Sequence, residues 1–390
     1  MRTIYLDYNA TTPLDADVRA AMLPILDEVW GNPSSVHHVG QRARALLDDA
    51  RDRVAATLKC KPSEIIFTSG GSESTNLALH GMARQLRDQG RHIITSAVEH
   101  HAVLSPCEYL ANNEGFEVTF LPVDSAGRVA VESVREALRP DTVLVSIMAA
   151  NNEVGTLQPV AEIGDLCADK GVVFHTDAVQ CFGKIPLGGI ADFNADLVSL
   201  CAHKFHGPNG AGLLYAKSPL MPDPIVHGAP HENERRAGTE NLAGIIGLAE
   251  AIVRFFPSPV FPLESLAPLA GKLIEMVDAT DGATFLGDRD SANRLTNTVS
   301  FTVEGTDSIA LLCGLDLEGL CASAGSACAS GSVTPSHVAL AMGAPAAEAN
   351  ALVRLSLGRE TTADEIAAAC EIIPRVVERC RSGNKMGITR

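Results

Sequence analysis

The chain has 390 residues, of which 46% are hydrophobic and 20% are charged. This composition excludes a mainly disordered protein, because such a chain can bury enough apolar surface to offset the entropy lost on folding. The formal net charge is −16 and no dense block of Lys and Arg occurs, so we expect no broad nucleic-acid-binding surface. The N-terminus has no apolar signal core, and no run of about 18 apolar residues is present, so we expect neither a secretory leader nor a membrane span.

The ten cysteines are too dilute for a disulfide framework, and no two of them form a Cys-x-x-Cys pair. We therefore expect a reduced, cytoplasmic protein in which most thiols are small buried hydrophobic groups. No His-Glu-x-x-His motif occurs, and the adjacent His100 and His101 point in different directions in either a helix or a strand. The sequence therefore predicts no metal site.

From about residue 40 to residue 257, short apolar runs alternate with amphipathic segments of helical period. The predicted helices cover 41–58, 72–87, 101–113 and 241–256, and the predicted strands cover 64–68, 92–95, 116–120, 142–148, 172–175, 197–200 and 212–215. This alternation indicates a mostly parallel sheet with helices on both faces. Such a sheet binds its ligands beyond the carboxyl ends of the strands.

Three prolines, Pro257, Pro259 and Pro262, end this pattern, and we place a domain boundary there. The chain that follows is predicted to form helices at 263–278, 308–313 and 364–380 and strands at 297–303 and 353–357. Asp364 is expected to cap the last helix, and Pro374 is expected to kink it. The prediction is thus a large α/β domain over 15–257 and a smaller α+β domain formed by 1–14 and 258–390.

Two residues at predicted strand ends are candidates for cofactor chemistry. Lys204 follows the strand at 197–200, and a lysine that loses hydration there has a lowered pKa, which prepares its amine to form a Schiff base. Asp177 follows the strand at 172–175 and can hold a protonated ring nitrogen. An ordinary surface lysine and a helix-capping aspartate are the alternatives.

The segment 69–74, Ser-Gly-Gly-Ser-Glu-Ser, lies between a predicted strand and a predicted helix. Its small residues let backbone N–H groups approach a phosphate, and the helix dipole favours the anion. The segment lacks the lysine of a nucleoside-triphosphate loop. A plain helix cap formed by Ser72 is the alternative.

Three further side chains are candidates for catalysis or binding. His100 is either a proton carrier near neutral pH or a structural residue at a strand–helix junction. Cys328 lies in a run of small residues, 322–332, which predicts either a mobile loop that presents one thiol or a glycine-rich turn with an incidental cysteine. Arg354 lies among apolar residues of a predicted strand, where its charge requires a substrate carboxylate or an internal acid.

Motifs along nearly the whole chain resemble, in sequence and in order, those of the NifS/IscS-type cysteine desulfurases of the class V aminotransferase superfamily. The matching segments are 5–13, 31–35 with His37, 67–74, 99–100, 151–155, 177–180, 203–204, 236–239, 326–328 and 354–359. The resemblance implies the α/β fold of pyridoxal-phosphate-dependent transferases, which is aspartate aminotransferase-like (fold type I). It also implies that L-cysteine is converted to L-alanine and that the sulfur leaves as a persulfide.

The resemblance implies a role for each residue that matches a motif. Lys204 is expected to bind the cofactor covalently, His100 to stack on its ring and move protons, and Cys328 to take up the sulfur. Arg354, together with Asn152, is expected to bind the substrate carboxylate. The further residues expected to contact the cofactor are Asp177 at the ring nitrogen, Gln180 and Asn152 near the ring oxygen, and Gly71, Ser72, Cys201, His203 and Thr239 at the phosphate.

Thr239 is expected to come from the second subunit of a homodimer with shared active sites. Cys201 departs from the family pattern, which has Ser or Thr there, so its hydrogen bond to phosphate is expected to be weaker. Residues 382–390 do not resemble the tail that housekeeping members use to dock a scaffold protein, and this leaves the identity of the sulfur acceptor open. The alternatives are a selenocysteine lyase, another class V aminotransferase or β-lyase, and a scaffold without activity.

Overall fold

The computed structural model describes residues 3–325 and 334–386, with side chains described as far as residue 382. Within this part of the chain, the largest sheet has seven strands in the order β2-β8-β7-β6-β5-β3-β4. The strands are β2 (Ile65–Thr68), β3 (His92–Ser96), β4 (Glu117–Leu121), β5 (Thr142–Ser146), β6 (Val173–Asp177), β7 (Leu197–Cys201) and β8 (Gly212–Ala216). Only β8 runs antiparallel to its neighbours, so the predicted mostly parallel sheet is confirmed.

Helices cover both faces of this sheet, as the alternation of apolar segments predicts. They are α1 (Ala16–Glu28), α2 (His38–Leu58), α3 (Gly71–Leu86), α4 (His101–Asn113), α5 (Val131–Ala137), α6 (Val160–Lys170) and α7 (Leu242–Phe255). Neighbouring residues of one strand enter different cores, because strand side chains alternate between the two faces. In β3, for example, Ile94 packs into the core that includes α2 and α7, whereas Ile93 packs against α3 and α4.

The C-terminal part forms a smaller α+β unit. An antiparallel sheet in the order β12-β10-β9 combines β9 (Ala283–Leu286), β10 (Thr298–Val303) and β12 (Val353–Ser356). Its helices are α8 (Leu263–Ala279), α9 (Ser308–Leu317), α10 (His337–Ala341), α11 (Ala346–Ala349) and α12 (Ala363–Met386). The N-terminal strand β1 (Ile4–Tyr5) pairs in parallel with β11 (Leu320–Cys321), which places the first residues beside this unit. The boundaries of the two predicted domains stay a prediction.

Several details differ from the sequence prediction. The sequence predicts no element at α1, α5, α6 or β9. Helix α1 illustrates the reason, because its buried residues are Val18 and Ile25 and Pro24 interrupts its helical periodicity. The prediction that Asp364 caps α12 is wrong, because the helix already begins at Ala363. Thr362 performs the capping instead: its backbone N–H donates to the Glu365 carboxylate at 2.9 Å, and its hydroxyl accepts from the Glu365 N–H at 3.3 Å.

Candidate active site

A pocket of about 250 Å³ lies at the carboxyl ends of β6 and β7, beside the beginning of α3. Most of the residues predicted for the cofactor and substrate line it: Gly71, Ser72, His100, Asn152, Asp177, Gln180, Cys201, His203, Lys204 and Arg354. These residues come from segments far apart in the chain, and the parallel strands bring them together because their carboxyl ends share one edge of the sheet. Cys328 lies outside the described residues.

Lys204 ends a short 3₁₀ turn, Ala202–Lys204, that directly follows β7. Its Nζ donates hydrogen bonds to the backbone carbonyl oxygens of Asn9 at 2.7 Å and Ala10 at 2.8 Å. Two neutral acceptors therefore orient the amine at the wall of the pocket. This geometry excludes the alternative of an ordinary surface lysine.

Asp177 is the last residue of β6 and is only 6% exposed. Burial raises the pKa of its carboxyl group to about 6, while a hydrogen bond from the Val179 N–H (2.9 Å) and the charge of Lys204 act in the opposite direction. No α-helix starts here, so the hydrogen bond to Val179 belongs to a turn and not to a helix cap. A buried carboxyl group in this setting is stabilised in its ionised form by a cationic ligand in the pocket.

His100 has the structural role that the sequence leaves open as one alternative, and it also lines the pocket. It is the N-cap residue of α4, and its Nδ1 accepts a hydrogen bond from the Ala102 N–H at 3.0 Å. Burial, followed by the positive charge of Lys204, lowers the pKa of His100 to about 4. The ring is therefore neutral at pH 7 and carries its proton on Nε2, since Nδ1 acts as an acceptor.

The beginning of α3 has the features of an anion site. Gly70 is its N-cap residue with φ +158°, and a glycine has no side chain that could cap the first N–H groups. The alternative of a Ser72 cap is therefore wrong, because Ser72 lies in the first turn of the helix. A Cβ atom on Gly71 would come within 2.8 Å of the Val179 side chain, so a glycine keeps the backbone close to the pocket.

Cys201 and His203 line the same end of the pocket. Burial raises the pKa of the Cys201 thiol to about 11, so the thiol is protonated and can act as a weak hydrogen-bond donor. His203 places Nδ1 3.2 Å from the Thr11 hydroxyl, and burial together with Lys204 lowers its pKa to about 4. Both groups are thus neutral near pH 7.

Arg354, in β12, is 2% exposed, and the internal acid that is one of its two expected partners is present. Its Nη2 forms an internal ion pair with Asp7 at 2.9 Å, and its Nη1 donates to the carbonyl oxygens of Asn152 and Gly325 at 3.0 Å each. Its Nε–H, in contrast, has no partner among the described residues. Because Arg354 also lines the pocket, its guanidinium group suits a substrate carboxylate.

Thr239 does not line this pocket in the described part of a single chain. It lies instead in a separate depression of about 150 Å³ together with Thr68, Ser69 and Arg236. Arg236 forms an ion pair with Glu73 of α3 at 2.7 Å, which ties this depression to the first turn of the anion-site helix.

Three polar residues near the pocket are not predicted from the sequence to have a role. Asn9 lines the pocket, and its backbone carbonyl oxygen accepts hydrogen bonds from Lys204 and Gln180. It lies within the matching segment 5–13, but the sequence predicts no role for it. Lys184 donates a hydrogen bond to Gln180. The spacing of four residues between them is the one feature of the sequence that could have indicated this contact. Glu99 is fully buried, and burial raises its pKa to about 8. Among the described residues, no three His, Cys, Asp or Glu side chains group as metal ligands.

The comparison with protein families decides the class of this site. A family model described as aminotransferase class-V matches residues 4–368. The chain belongs to the class-V aminotransferase family. This family assignment confirms the α/β transferase fold predicted from the sequence.

Curated relatives span nearly the whole chain. The cysteine desulfurase IscS of Dictyoglomus turgidum is 44% identical over 381 residues, covering 98% of this chain and 96% of the relative. The cysteine desulfurase NifS of Azotobacter vinelandii is 42% identical over 384 residues, covering 98% and 94%. A solved NifS-like protein matches with a TM-score of 0.89 and 35% identity over 97% of this chain and all of that structure. A structure described as SspA in complex with cysteine matches with a TM-score of 0.79 and 35% identity, covering 92% of this chain and 100% of that one.

Class-V aminotransferases of this kind depend on pyridoxal 5′-phosphate, and the pocket has groups that fit it. The backbone N–H groups of Gly71 and Ser72, in the first turn of α3, suit the phosphate. The buried carboxyl group of Asp177 suits a protonated ring nitrogen, and the amine of Lys204 suits the aldehyde carbon. Within the structure, the donors, the acid and the amine therefore line one pocket in the combination that this cofactor requires.

Proposed function

We propose that this protein is a cysteine desulfurase that converts L-cysteine to L-alanine and holds the sulfur as a persulfide on Cys328. The observation that carries the proposal is the convergence of Lys204, Asp177, His100 and Arg354 on one pocket. The curated relatives named cysteine desulfurase, at 42–44% identity over nearly the full chain, support the same activity.

Each pocket residue has a task that its surroundings support. Bound pyridoxal phosphate supplies an electron sink for negative charge on the substrate Cα. Arg354 binds the substrate carboxylate through its guanidinium group, and the amine of Lys204 takes the α-proton and returns it. Asp177, ionised beside a ring N–H, holds that proton in place. His100 presents its Nε2–H to the pocket as a neutral donor.

Sulfur transfer is assigned to Cys328. As a thiolate, its sulfur attacks the sulfur of the substrate, so that an S–S bond forms while the C–S bond breaks. The electron pair of the broken bond stays on the substrate carbon, which takes up a proton and leaves as alanine. The persulfide then passes to a sulfur-acceptor protein that serves iron–sulfur cluster assembly or another thiolation.

The decisive experiment supplies L-cysteine and quantifies alanine and sulfide for the wild type, Cys328→Ser and Cys313→Ser. Cys328→Ser is expected to bind the cofactor with the visible spectrum of the wild type but to form no persulfide. Cys313, an exposed free thiol on α9, is the matched control and is expected to be fully active. Wild-type production of alanine by Cys328→Ser would show instead a lyase that does not need this thiol. Turnover of selenocysteine alone would identify a selenocysteine lyase.

We further propose that the protein acts as a homodimer in which Thr239 reaches the phosphate of the partner's cofactor. Thr239 lies outside the main pocket of its own chain, in the depression beside α3. Large apolar side chains lie exposed near the matching segment 31–37: Trp30 is 81% exposed and Val36 is 89% exposed. Exposed apolar side chains of this size are available for burial in a subunit interface.

Mixed dimers test this arrangement. Lys204→Ala and Thr239→Ala chains, each weakly active or inactive alone, are combined in one dimer. If Thr239 acts across the interface, one of the two sites has both native residues and activity returns. If Thr239 acts within its own chain, no site is complete and the mixture stays inactive.

We also propose the cytoplasm as the compartment of this protein. A thiol that accepts and passes on sulfur must be kept reduced, and the cytosol keeps thiols in this state. The described cysteines are free thiols, and Cys107, Cys167, Cys181 and Cys201 are buried ones.

A further inference from the structure

Lys184 is a buried lysine near the pocket that the reaction proposed above does not use. It is 8% exposed, and its Nζ donates hydrogen bonds to Asn9 Oδ1 at 2.6 Å and to Gln180 Oε1 at 2.5 Å. The ring of Phe261 lies 5.2 Å from Nζ. Burial, and then the charges of Lys204 and Arg354, lower the pKa of Lys184 well below its usual value.

Such a residue is costly for the fold. The buried amine faces two neutral amide oxygens and lies near two cations. The hydration free energy that it loses on burial is larger than the free energy that these contacts contribute. An unbranched apolar side chain such as Met has a similar length and would fill the same space without this cost. What a lysine adds at this position is its N–H donors, and these orient the side chains that accept from them.

The amide of Gln180 is the first group that they orient. Its Oε1 accepts from Lys184, and its Nε2 donates to the backbone carbonyl oxygen of Asn9 at 3.0 Å. An amide nitrogen has two hydrogens, and the second one on Nε2 makes no hydrogen bond within the described residues. Because Gln180 lines the pocket, this second N–H is the donor that a ligand can use.

The side chain of Asn9 is the second group. Its Oδ1 accepts from Lys184 and from Asn297 Nδ2 at 3.0 Å, so its Nδ2 faces Thr298, whose hydroxyl lies at 2.8 Å. The backbone carbonyl oxygen of Asn9 is the one that accepts from both Lys204 and Gln180. Lys184 therefore contacts, through one atom, two residues whose orientation shapes the wall of the pocket.

We propose that Lys184 is a positioning residue of the cofactor pocket, which holds the Gln180 amide with an N–H directed to bound pyridoxal phosphate. Without the lysine, Gln180 Oε1 becomes a buried acceptor without a donor, and the amide loses its preference for one orientation. The proposal rests on the assignment of this pocket to pyridoxal phosphate. It assigns Lys184 no contact with the substrate or the cofactor.

The test measures cofactor affinity by titrating the apoprotein with pyridoxal phosphate and following the visible absorbance of the bound form. Lys184→Met is expected to weaken binding about 5- to 20-fold and to shift the absorbance maximum, the effect of losing one hydrogen bond. Lys184→Gln, which restores two N–H donors, is expected to stay within about threefold of the wild type. Lys217→Met, at a 59% exposed side chain, is the matched control and is expected to change nothing.

A double-mutant cycle decides whether Lys184 acts through Gln180. In a Gln180→Ala background, Lys184→Met is expected to have no further effect on affinity, since the amide that it orients is gone. An equal loss in both backgrounds, or wild-type affinity of Lys184→Met, overturns the proposal. If Lys184→Met does not fold, the proposal requires that Lys184→Gln keep the affinity and Gln180→Ala lose it. A wild-type protein that binds no pyridoxal phosphate would overturn instead the assignment of the pocket.

Discussion

The Nζ atom of Lys204 lies 2.7 Å from the backbone carbonyl oxygen of Asn9, although 195 residues separate the two in the sequence. Asn9 in turn donates its backbone N–H to the Ser356 hydroxyl at 2.9 Å, in the last strand of the smaller sheet. The lysine on the large sheet is thus oriented by an N-terminal segment that the C-terminal unit holds in place. The pocket consequently depends on contacts between three distant parts of the chain.

Lys204→Ala is expected to abolish the visible absorbance of the bound cofactor, because no other described lysine amine lines the pocket. Activity is expected to fall by at least about 10²- to 10⁴-fold, the contribution typical of a proton-transferring group. Absorbance spectra and alanine formation check both effects. Lys217→Ala serves as the control, and a Lys204→Ala protein with the wild-type spectrum would refute the assignment.

Arg354→Lys is expected to raise the KM for cysteine about 10- to 100-fold, since the compact ammonium group cannot keep Asp7 and also form the planar two-bond contact with a carboxylate that a guanidinium group offers. The melting temperature should also fall, because carbonyl oxygens at Asn152 and Gly325 lose their donor. Steady-state kinetics and thermal melting measure these changes. Arg289→Lys, in an exposed ion pair with Asp278, is the control that should alter neither quantity.

Cys201→Ser is expected to tighten cofactor binding about three- to tenfold, because a hydroxyl is a stronger hydrogen-bond donor than the protonated thiol at this position. Titration of the apoprotein with pyridoxal phosphate measures the dissociation constant. Cys107→Ser replaces a buried thiol in the core of α3 and α4, away from the pocket. It should lower the melting temperature and leave the dissociation constant unchanged. Weaker binding by Cys201→Ser would contradict a phosphate contact.

Glu99→Gln is expected to make the apoprotein relatively more stable as the pH rises. Burial raises the pKa of Glu99 to about 8, whereas the same group titrates near 4.3 in an unfolded chain. The folded protein therefore binds this proton more tightly, and the resulting stability is present below about pH 4.3 and is lost as the pH rises towards 8.

Melting temperatures of the wild type and Glu99→Gln between pH 5 and pH 8.5 measure this effect. The two should agree most closely at pH 5, and the wild type should fall below the variant with increasing pH. Glu108→Gln changes an exposed carboxylate of the neighbouring helix α4 and should follow the wild type throughout. A constant difference between wild type and Glu99→Gln would exclude the titration of Glu99 over this range.

The apolar periodicity of the sequence determined the main elements of the fold. Strands such as β3 and β7 are short and apolar because both of their faces are buried. A short continuous apolar run can be recognised from the local sequence alone. Helix α1 gives no such signal, because it buries only a narrow stripe and is stabilised by tertiary packing. The residue types at strand ends likewise identified Lys204 and Asp177 as candidates without any coordinates, and a charged side chain within an apolar strand identified Arg354.

Only the tertiary structure decided how those candidates are paired and charged. No pattern in the sequence shows that Arg354 ion-pairs with Asp7, that His100 caps a helix through Nδ1, or that Lys184 orients Gln180. These relationships depend on contacts between residues distant in the chain and on burial, which shifts the pKa of each group according to its surroundings. The sequence thus contained the chemistry of the site, whereas the packing of the two sheets determined which atoms remain available to a ligand.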